Sequence, residues 1–163
     1  MTLAPALRRA VALAMVWLAG PAAAAEQFRD WSVLAPEAGG CLLHQRVIAA
    51  EAGLAIADVF AQPTDAGGLR LSVQVPVGAS LADGMAYRHT GQARAVPLLW
   101  QRCDGESCLA QVEVDARERG RLMRAVRVDV AFVPVPGARP LTFRLSLLGL
   151  TAALGSGTCR GED

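Results

Sequence analysis

The chain has 163 residues and balances 16 basic side chains, all of them arginine, against 15 acidic ones, for a formal net charge of +1. This balance argues against a nucleic-acid-binding protein, which would carry a strongly basic face. The length fits a single domain, and a hydrophobic fraction of 53% provides enough apolar side chains for a buried core.

The first 25 residues are predicted to be an export signal. Two adjacent arginines at residues 8–9 precede the apolar run 10–19, and Ala22 to Ala25 offer the small side chains that a signal peptidase requires. The alternative is an uncleaved membrane anchor, but a Gly-Pro pair interrupts the run before it reaches the ~20 residues of a spanning helix. Cleavage after Ala25 removes 25 residues from 163 and leaves 138, with 14 arginines against 15 acids and no transmembrane segment. We therefore expect a single domain over residues 26–163.

Alternating apolar and polar residues predict a series of short strands in the mature chain. The clearest case is residues 69–75, where leucine and valine alternate with polar side chains until Pro76 ends the pattern. The predicted strands are 28–34, 41–48, 54–61, 69–75, 85–89, 96–103, 108–114, 126–132 and 141–147.

A single helix is predicted over residues 115–124, with Asp115 as its N-cap and Leu122 and Met123 facing inward. A short helical turn is expected at 149–154, followed by a flexible tail over 155–163. Many short strands without βαβ alternation predict a mainly β, antiparallel sandwich or partly closed barrel with one short helix.

Cys103 and Cys108 bracket a four-residue turn. In an oxidising compartment this pair is predicted to form a structural disulfide. A redox-active pair would instead have Cys-x-x-Cys spacing at the start of a helix, where the thiol pKa is lowered.

The sequence offers little support for catalysis, so we expect a protein that is not an enzyme and has no cofactor. His44 and His89 lie on separate predicted strands without a close ligand partner, which argues against a metal site. Ser156 lies in a Gly-Ser-Gly tail and not in a nucleophile elbow. Trp31 and Trp100 are interpreted as packing residues.

Four arginines of the predicted helix form a candidate partner-binding set: Arg117, Arg119, Arg121 and Arg124. One interpretation is a solvated helix face with ion pairs between neighbouring turns. The other is a patch that docks an anionic partner.

Six short motifs span nearly all of the predicted mature chain. They are Phe28-x-x-Trp31-x-Val33, Cys41-x-x-x-Gln45, Leu71-x-Val73-x-Val75-Pro76-x-Gly78, Leu81-x-x-Gly84, Gln101-x-Cys103-x-x-x-x-Cys108-x-Ala110 and Leu145-Ser146-Leu147-x-Gly149-Leu150-Thr151-Ala152-Ala153-Leu154. In this order and at this spacing the chain resembles the invasion-associated locus B family of exported alphaproteobacterial envelope proteins. The resemblance implies an envelope location and a β topology. It says little about a molecular mechanism.

One departure from the family concerns the cysteines. Relatives carry a cysteine soon after the first strand, whereas this chain has Leu34-Ala35-Pro36 there and a cysteine at Cys159 instead. Four cysteines permit three pairings. With Cys103 joined to Cys108, Cys41 pairs with Cys159, and the alternative is a free or intermolecular thiol at Cys159.

Two classes of function follow from these features. The first is a non-catalytic binding or accessory protein, periplasmic or surface-associated, that meets an envelope or membrane-protein partner and is linked by resemblance to host-cell interaction. A variant of this class is an accessory subunit of a membrane-anchored complex. The second class is a small-ligand binder, or an enzyme, with a pocket in the mouth of a barrel.

Overall fold

The computed structural model of the chain describes residues 25–34 and 40–160. Residues 1–24 of the predicted export signal lie outside this part, so the cleavage site stays a prediction. Most of the predicted loop at 36–40 and the last three residues also lie outside it.

Ten strands account for most of the described residues. They are β1 (Glu26–Phe28), β2 (Trp31–Leu34), β3 (Leu42–Ala49), β4 (Leu54–Pro63), β5 (Leu69–Pro76), β6 (Met85–His89), β7 (Ala95–Cys103), β8 (Ser107–Val114), β9 (Arg127–Phe132) and β10 (Leu141–Ser146). Three helices accompany them: α1 (Ala116–Arg124), α2 (Leu150–Leu154) and α3 (Gly157–Arg160).

All strand pairs are antiparallel, in the order β1-β2-β3-β4-β5-β8-β7-β6-β9-β10. Strand β7 belongs to two sheets, because its first half pairs with β6 and its second half pairs with β8. The half of β7 that pairs with β8 contains a β-bulge between Trp100 and Arg102. The prediction of a mainly β antiparallel fold is therefore confirmed.

The two ends of this strand order meet without closing into a continuous ladder. The Trp31 indole Nε1 on β2 donates to the carbonyl oxygen of Ser146 at the end of β10, over 3.1 Å. The buried Gln45 amide on β3 donates to the same carbonyl at 3.1 Å and accepts the Ser146 backbone N–H at 3.2 Å. Side chains thus complete a barrel-like closure that the backbone leaves open.

Inward-facing residues from both sheets form one hydrophobic cluster. On β5 the residues predicted to alternate, Leu69, Leu71, Val73 and Val75, are all buried. The two sheets therefore enclose a filled interior. Leu122 of α1 is also buried, as predicted, and Met123 packs against the cluster.

Helix α1 begins as the sequence predicts. The Asp115 carboxylate accepts the backbone N–H of Glu118 at 2.7 Å, which satisfies one of the unpaired donors at the helix start.

Two local predictions differ from the structure. The single strand predicted over 28–34 is a hairpin of β1 and β2, because the chain turns at Arg29, which has a φ of 53°, and pairs Phe28 with Trp31. Two consecutive polar residues, Arg29 and Asp30, interrupt the alternation at this turn, and the sequence analysis passed over that interruption. Helix α3 also occupies residues 157–160, where the sequence predicts a flexible tail.

The structure contains two disulfides, Cys41–Cys159 and Cys103–Cys108. The first joins Cys41, directly before β3, to α3 across 118 residues of sequence. The second lies at the end of the β7–β8 hairpin, where the Asp104 carboxylate accepts the backbone N–H groups of Glu106 and Ser107 at 2.9 and 2.8 Å. These bonds fix the turn that brings the two sulfurs together.

Within the described ranges, no helix is long and apolar enough to span a membrane.

Candidate functional site

A group of polar side chains lies between strand β6 and helix α1. Tyr87 and His89 project from the same face of β6, because alternate residues of a strand share a face. Glu118 and Arg121 come from the first and second turns of α1, and Gln92 comes from the loop after β6. We call these five residues the Glu118 cluster.

Glu118 is the centre of the cluster. Its Oε1 accepts the Tyr87 hydroxyl at 2.9 Å and lies 2.6 Å from His89 Nε2, while its Oε2 accepts Arg121 Nη1 at 2.8 Å. A second nitrogen of Arg121 donates to the Gln92 side-chain oxygen at 2.6 Å. The side chains of Glu118 and His89 are only 14% and 10% exposed, so these bonds form largely away from water.

The electrostatics of the cluster favour an ionised Glu118. Burial raises the pKa of its carboxyl group, but the hydrogen bonds from His89 and Tyr87, together with the positive charge of Arg121, lower the pKa below its usual value of 4.5. Burial, followed by the bond to the Glu118 carboxylate, raises the pKa of Tyr87 above its usual value of 10.0. At neutral pH the carboxylate therefore accepts and the phenol donates.

This arrangement fixes parts of the fold to one another. Both oxygens of Glu118 accept from protein donors, in three of the roughly four hydrogen bonds that a carboxylate can accept. An acidic residue three positions after the N-cap often returns to the cap's own backbone N–H. Here it joins α1 to β6 and, through Arg121 and Gln92, to the loop that follows β6.

Clefts open on both sides of the Glu118 cluster. The first, of about 650 Å³, lies at the end of α1 and the beginning of β9, and its charged lining is Arg121, Arg124 and Arg127. The second, of about 530 Å³, mixes arginines at 94, 117 and 121 with acids at 113, 115 and 118. We call the first one the arginine cleft.

The four arginines singled out in the sequence do not form one patch. Arg121 and Arg124 line the arginine cleft, Arg117 lines the second cleft, and Arg119 donates to the carbonyl oxygen of Gly67 at 3.1 Å. Arg127, which the sequence analysis did not select, joins the first two from β9.

A second polar group lies on the outer face of the larger sheet. The Asp58 carboxylate on β4 lies 2.7 Å from His44 Nε2 and accepts Arg46 Nε at 2.9 Å. Burial raises the Asp58 pKa, but the hydrogen bonds from Arg46 and His44 lower it by more. The pKa of Asp58 therefore lies below its usual value of 3.8. The His44 ring also packs against Phe60, with ring centroids 5.0 Å apart. These contacts tie neighbouring strands across the sheet.

The remaining residues considered in the sequence have structural surroundings. Trp31 is buried, and Trp100 packs partly buried against the core. His44 and His89 lie in separate groups, each beside a carboxylate. Among residues 25–34 and 40–160, no three His, Cys, Asp or Glu side chains converge as a metal site would require.

The Glu118 cluster itself was missed in the sequence analysis. Its signals are the alternation of Tyr87 and His89 and the position of Glu118 three residues after Asp115. Neither signal reveals that α1 packs over β6, because the two elements are separated by the β7–β8 hairpin.

The fold and these sites define a class: a disulfide-bonded, mainly β domain whose buried polar groups join its elements and whose arginines line open clefts. A family model described as Invasion associated locus B (IalB) protein matches residues 31–156. The chain belongs to this family, which confirms the resemblance inferred from its motifs.

Individual relatives agree with this assignment. The chain is 25% identical over 132 residues to an invasion protein B homolog of Brucella abortus strain 2308, covering 79% of this chain and 76% of the relative. The homolog of Brucella abortus biovar 1 strain 9-941 gives the same values. The crystal structure of invasion associated protein b from Bartonella henselae superposes with a TM-score of 0.73 at 16% identity, covering 85% of this chain and 99% of the other. At that identity the similarity shows the fold alone.

Proposed function

We propose that this protein is a non-catalytic binding or accessory protein of the bacterial cell envelope, exported to the periplasm or outer surface and linked to host-cell interaction. The observation that carries this proposal is the contrast between its buried and exposed polar groups. The converging polar side chains are bonded to one another, whereas Arg124 and Arg127 at the open cleft have no ion pair within the described part of the chain. Such a surface acts by contact with a partner.

Two further features support the compartment. The two disulfides are stable in an oxidising environment and are rare in the cytosol. The predicted signal peptide at residues 1–25 would carry the chain there. Membership of a family named for invasion supports the link to a host, as do the invasion protein names of the Brucella relatives.

A small-ligand binder remains the second candidate because of the arginine cleft. Its volume of about 650 Å³ falls within the range of ligand pockets. It differs from the usual apolar pocket because three arginines line it and it is open to solvent.

The test is recovery of the protein with its partners from native envelopes after mild crosslinking. We expect crosslinked complexes in the membrane or periplasmic fraction, a mature mass that begins at Glu26, and a non-reducing peptide map that contains both disulfides. An unrelated exported disulfide-bonded protein of similar size serves as the control bait. Recovery as a lone monomer, or with all four cysteines reduced, would contradict the proposal.

A further inference from the structure

The lining of the arginine cleft is rich in hydrogen-bond donors and contains no carboxylate. Arg121, Arg124 and Arg127 supply its charge, and Thr90 and Gln92 add a hydroxyl and an amide. The side-chain oxygen of Gln92 already accepts from Arg121, so its amide nitrogen is the group left for a ligand.

The nearby acidic side chains are committed elsewhere. Both oxygens of Glu118 are bonded to Tyr87, His89 and Arg121. Asp129, the acid nearest to Arg127 along β9, stands opposite Arg88 on β6 and Arg144 on β10 in the strand register. Asp129 does not line the cleft, so Arg124 and Arg127 are left without a protein counter-ion in the described part of the chain, whereas Arg121 is paired with Glu118.

The backbone places the two free guanidinium groups on either side of a short turn. Arg124 ends α1 and Arg127 begins β9, and both are exposed, while Ala125 and Val126 between them form an apolar part of the lining. The backbone N–H of Ala125 is bonded to the carbonyl oxygens of Arg121 and Leu122, which caps the helix end and ties the turn to α1.

The second cleft provides a contrast within the same molecule. There the acids at 113, 115 and 118 accompany the arginines at 94, 117 and 121, so the charges balance. Of the two clefts, the arginine cleft has no carboxylate in its lining and has two arginines, Arg124 and Arg127, without an ion pair in the described part of the chain. It is therefore the better fit for an anion.

We propose that the arginine cleft binds a phosphomonoester group. Planar guanidinium groups bind phosphate oxygens in pairs, and a phosphomonoester carries between one and two negative charges at neutral pH, which matches a site with several arginines better than a single carboxylate does. Arg124 and Arg127 hold the phosphate, Arg121 adds a third positive charge held in place by Glu118, and Thr90 and Gln92 donate to the remaining oxygens or to the rest of the ligand. This inference deepens the binding role proposed above by naming the chemistry of the partner.

The experiment titrates the oxidised, exported protein with three probes: inorganic phosphate, glucose 6-phosphate, and phosphatidylcholine vesicles with and without phosphatidic acid. Calorimetry measures the soluble probes and co-sedimentation measures the vesicles. We expect saturable binding that weakens as salt increases, and at least about a tenfold loss of affinity in the double variant R124Q/R127Q. Binding of the soluble probes identifies a free phosphorylated ligand, and binding only to phosphatidic acid vesicles identifies a membrane headgroup.

The control is R102Q/R139Q, which removes the same charge from two exposed arginines outside the cleft lining. It should bind as the wild type does. R127Q alone serves as a second variant if the double variant does not fold. The inference is overturned if no probe saturates, or if the control loses as much affinity as the cleft variants. The binding role itself is tested by envelope crosslinking, so the two can fail separately.

Discussion

Glu118 shows how a single residue can look ordinary in sequence and be central in the fold. It follows an N-cap aspartate at the spacing of a helix start, a setting in which acidic residues are common. In the structure it accepts hydrogen bonds from both β6 and α1, in a position that is mostly shielded from water. These hydrogen bonds stabilise the fold because, without Glu118, the buried groups of Tyr87, His89 and Arg121 would have lost their hydrogen bonds to water without gaining a protein partner.

We therefore expect Glu118→Gln to lower the free energy of unfolding by about 2 kcal/mol, since it removes the charge that Arg121 and His89 face. The matched control is Glu113→Gln, because Glu113 forms an exposed ion pair with Arg70 and its side chain is 56% exposed. Surface pairs contribute about 0–1 kcal/mol. Urea denaturation of both variants measures the difference, and equal losses would contradict a central role for Glu118.

The same carboxylate should contribute to acid sensitivity. Its pKa in the folded protein lies below the usual 4.5, so the unfolded chain takes up the proton first as pH falls. The stabilisation is thus complete above about pH 5, declines as pH falls through 4.5, and is lost below the folded-state pKa. We expect the free energy of unfolding to fall less steeply with acid in Glu118→Gln than in the wild type. Parallel pH profiles would argue against this assignment.

At the scale of elements, short strands were predicted well because most of them alternate apolar and polar residues, and several end beside a proline, glycine or aspartate. Helix α1 was also predicted, since its cap is local in sequence. The turn at Arg29 was missed although two consecutive polar residues break the alternation there, and α3 was missed because a distant contact holds it in place. Strand β2 bonds to the end of β10, and the Cys41–Cys159 disulfide ties α3 to the start of β3.

Gly149 illustrates such a distant contact. It precedes α2 with a φ of 94°, and a Cβ built there would overlap the carbonyl group of Phe28 on β1. We expect Gly149→Ala to lower the free energy of unfolding by about 2 kcal/mol or more, because both the backbone conformation and the close approach disfavour a side chain. Gly105→Ala is the control, since a Cβ there meets nothing within 4 Å. Thermal denaturation that shows similar losses for both would count against this explanation.

At the scale of the whole molecule, covalent and non-covalent links join the ends of the sheet. Gln45 and Trp31 bond to Ser146, and Cys41 is bonded to Cys159 near the end of the chain. Motif residues from the beginning and the end of the chain, Trp31, Cys41, Gln45 and Ser146, therefore lie where the first and last strands come together.

The two disulfides should contribute unequally to stability. In the loop-entropy model, a bridge across 118 residues contributes about 5 kcal/mol and a bridge across five contributes about 2 kcal/mol. We expect C41A/C159A to lower the free energy of unfolding by clearly more than C103A/C108A does. Each double variant serves as the control for the other in guanidinium denaturation under oxidising conditions. A larger loss in the hairpin variant would show that the long bridge contributes little.

The sequence by itself determined the strand-rich class of this protein, the start of α1, the motifs of its family and the pairing of Cys103 with Cys108. These features depend on residues that are close in sequence: alternating side chains, helix-capping positions and short spacings between motif residues. Only the tertiary structure decided that Glu118 reaches Tyr87 and His89, that the four helix arginines separate, and that Arg127 completes the arginine cleft. Those relations depend on how α1 packs against β6 and β8, and packing between distant segments has no periodic signature in the chain.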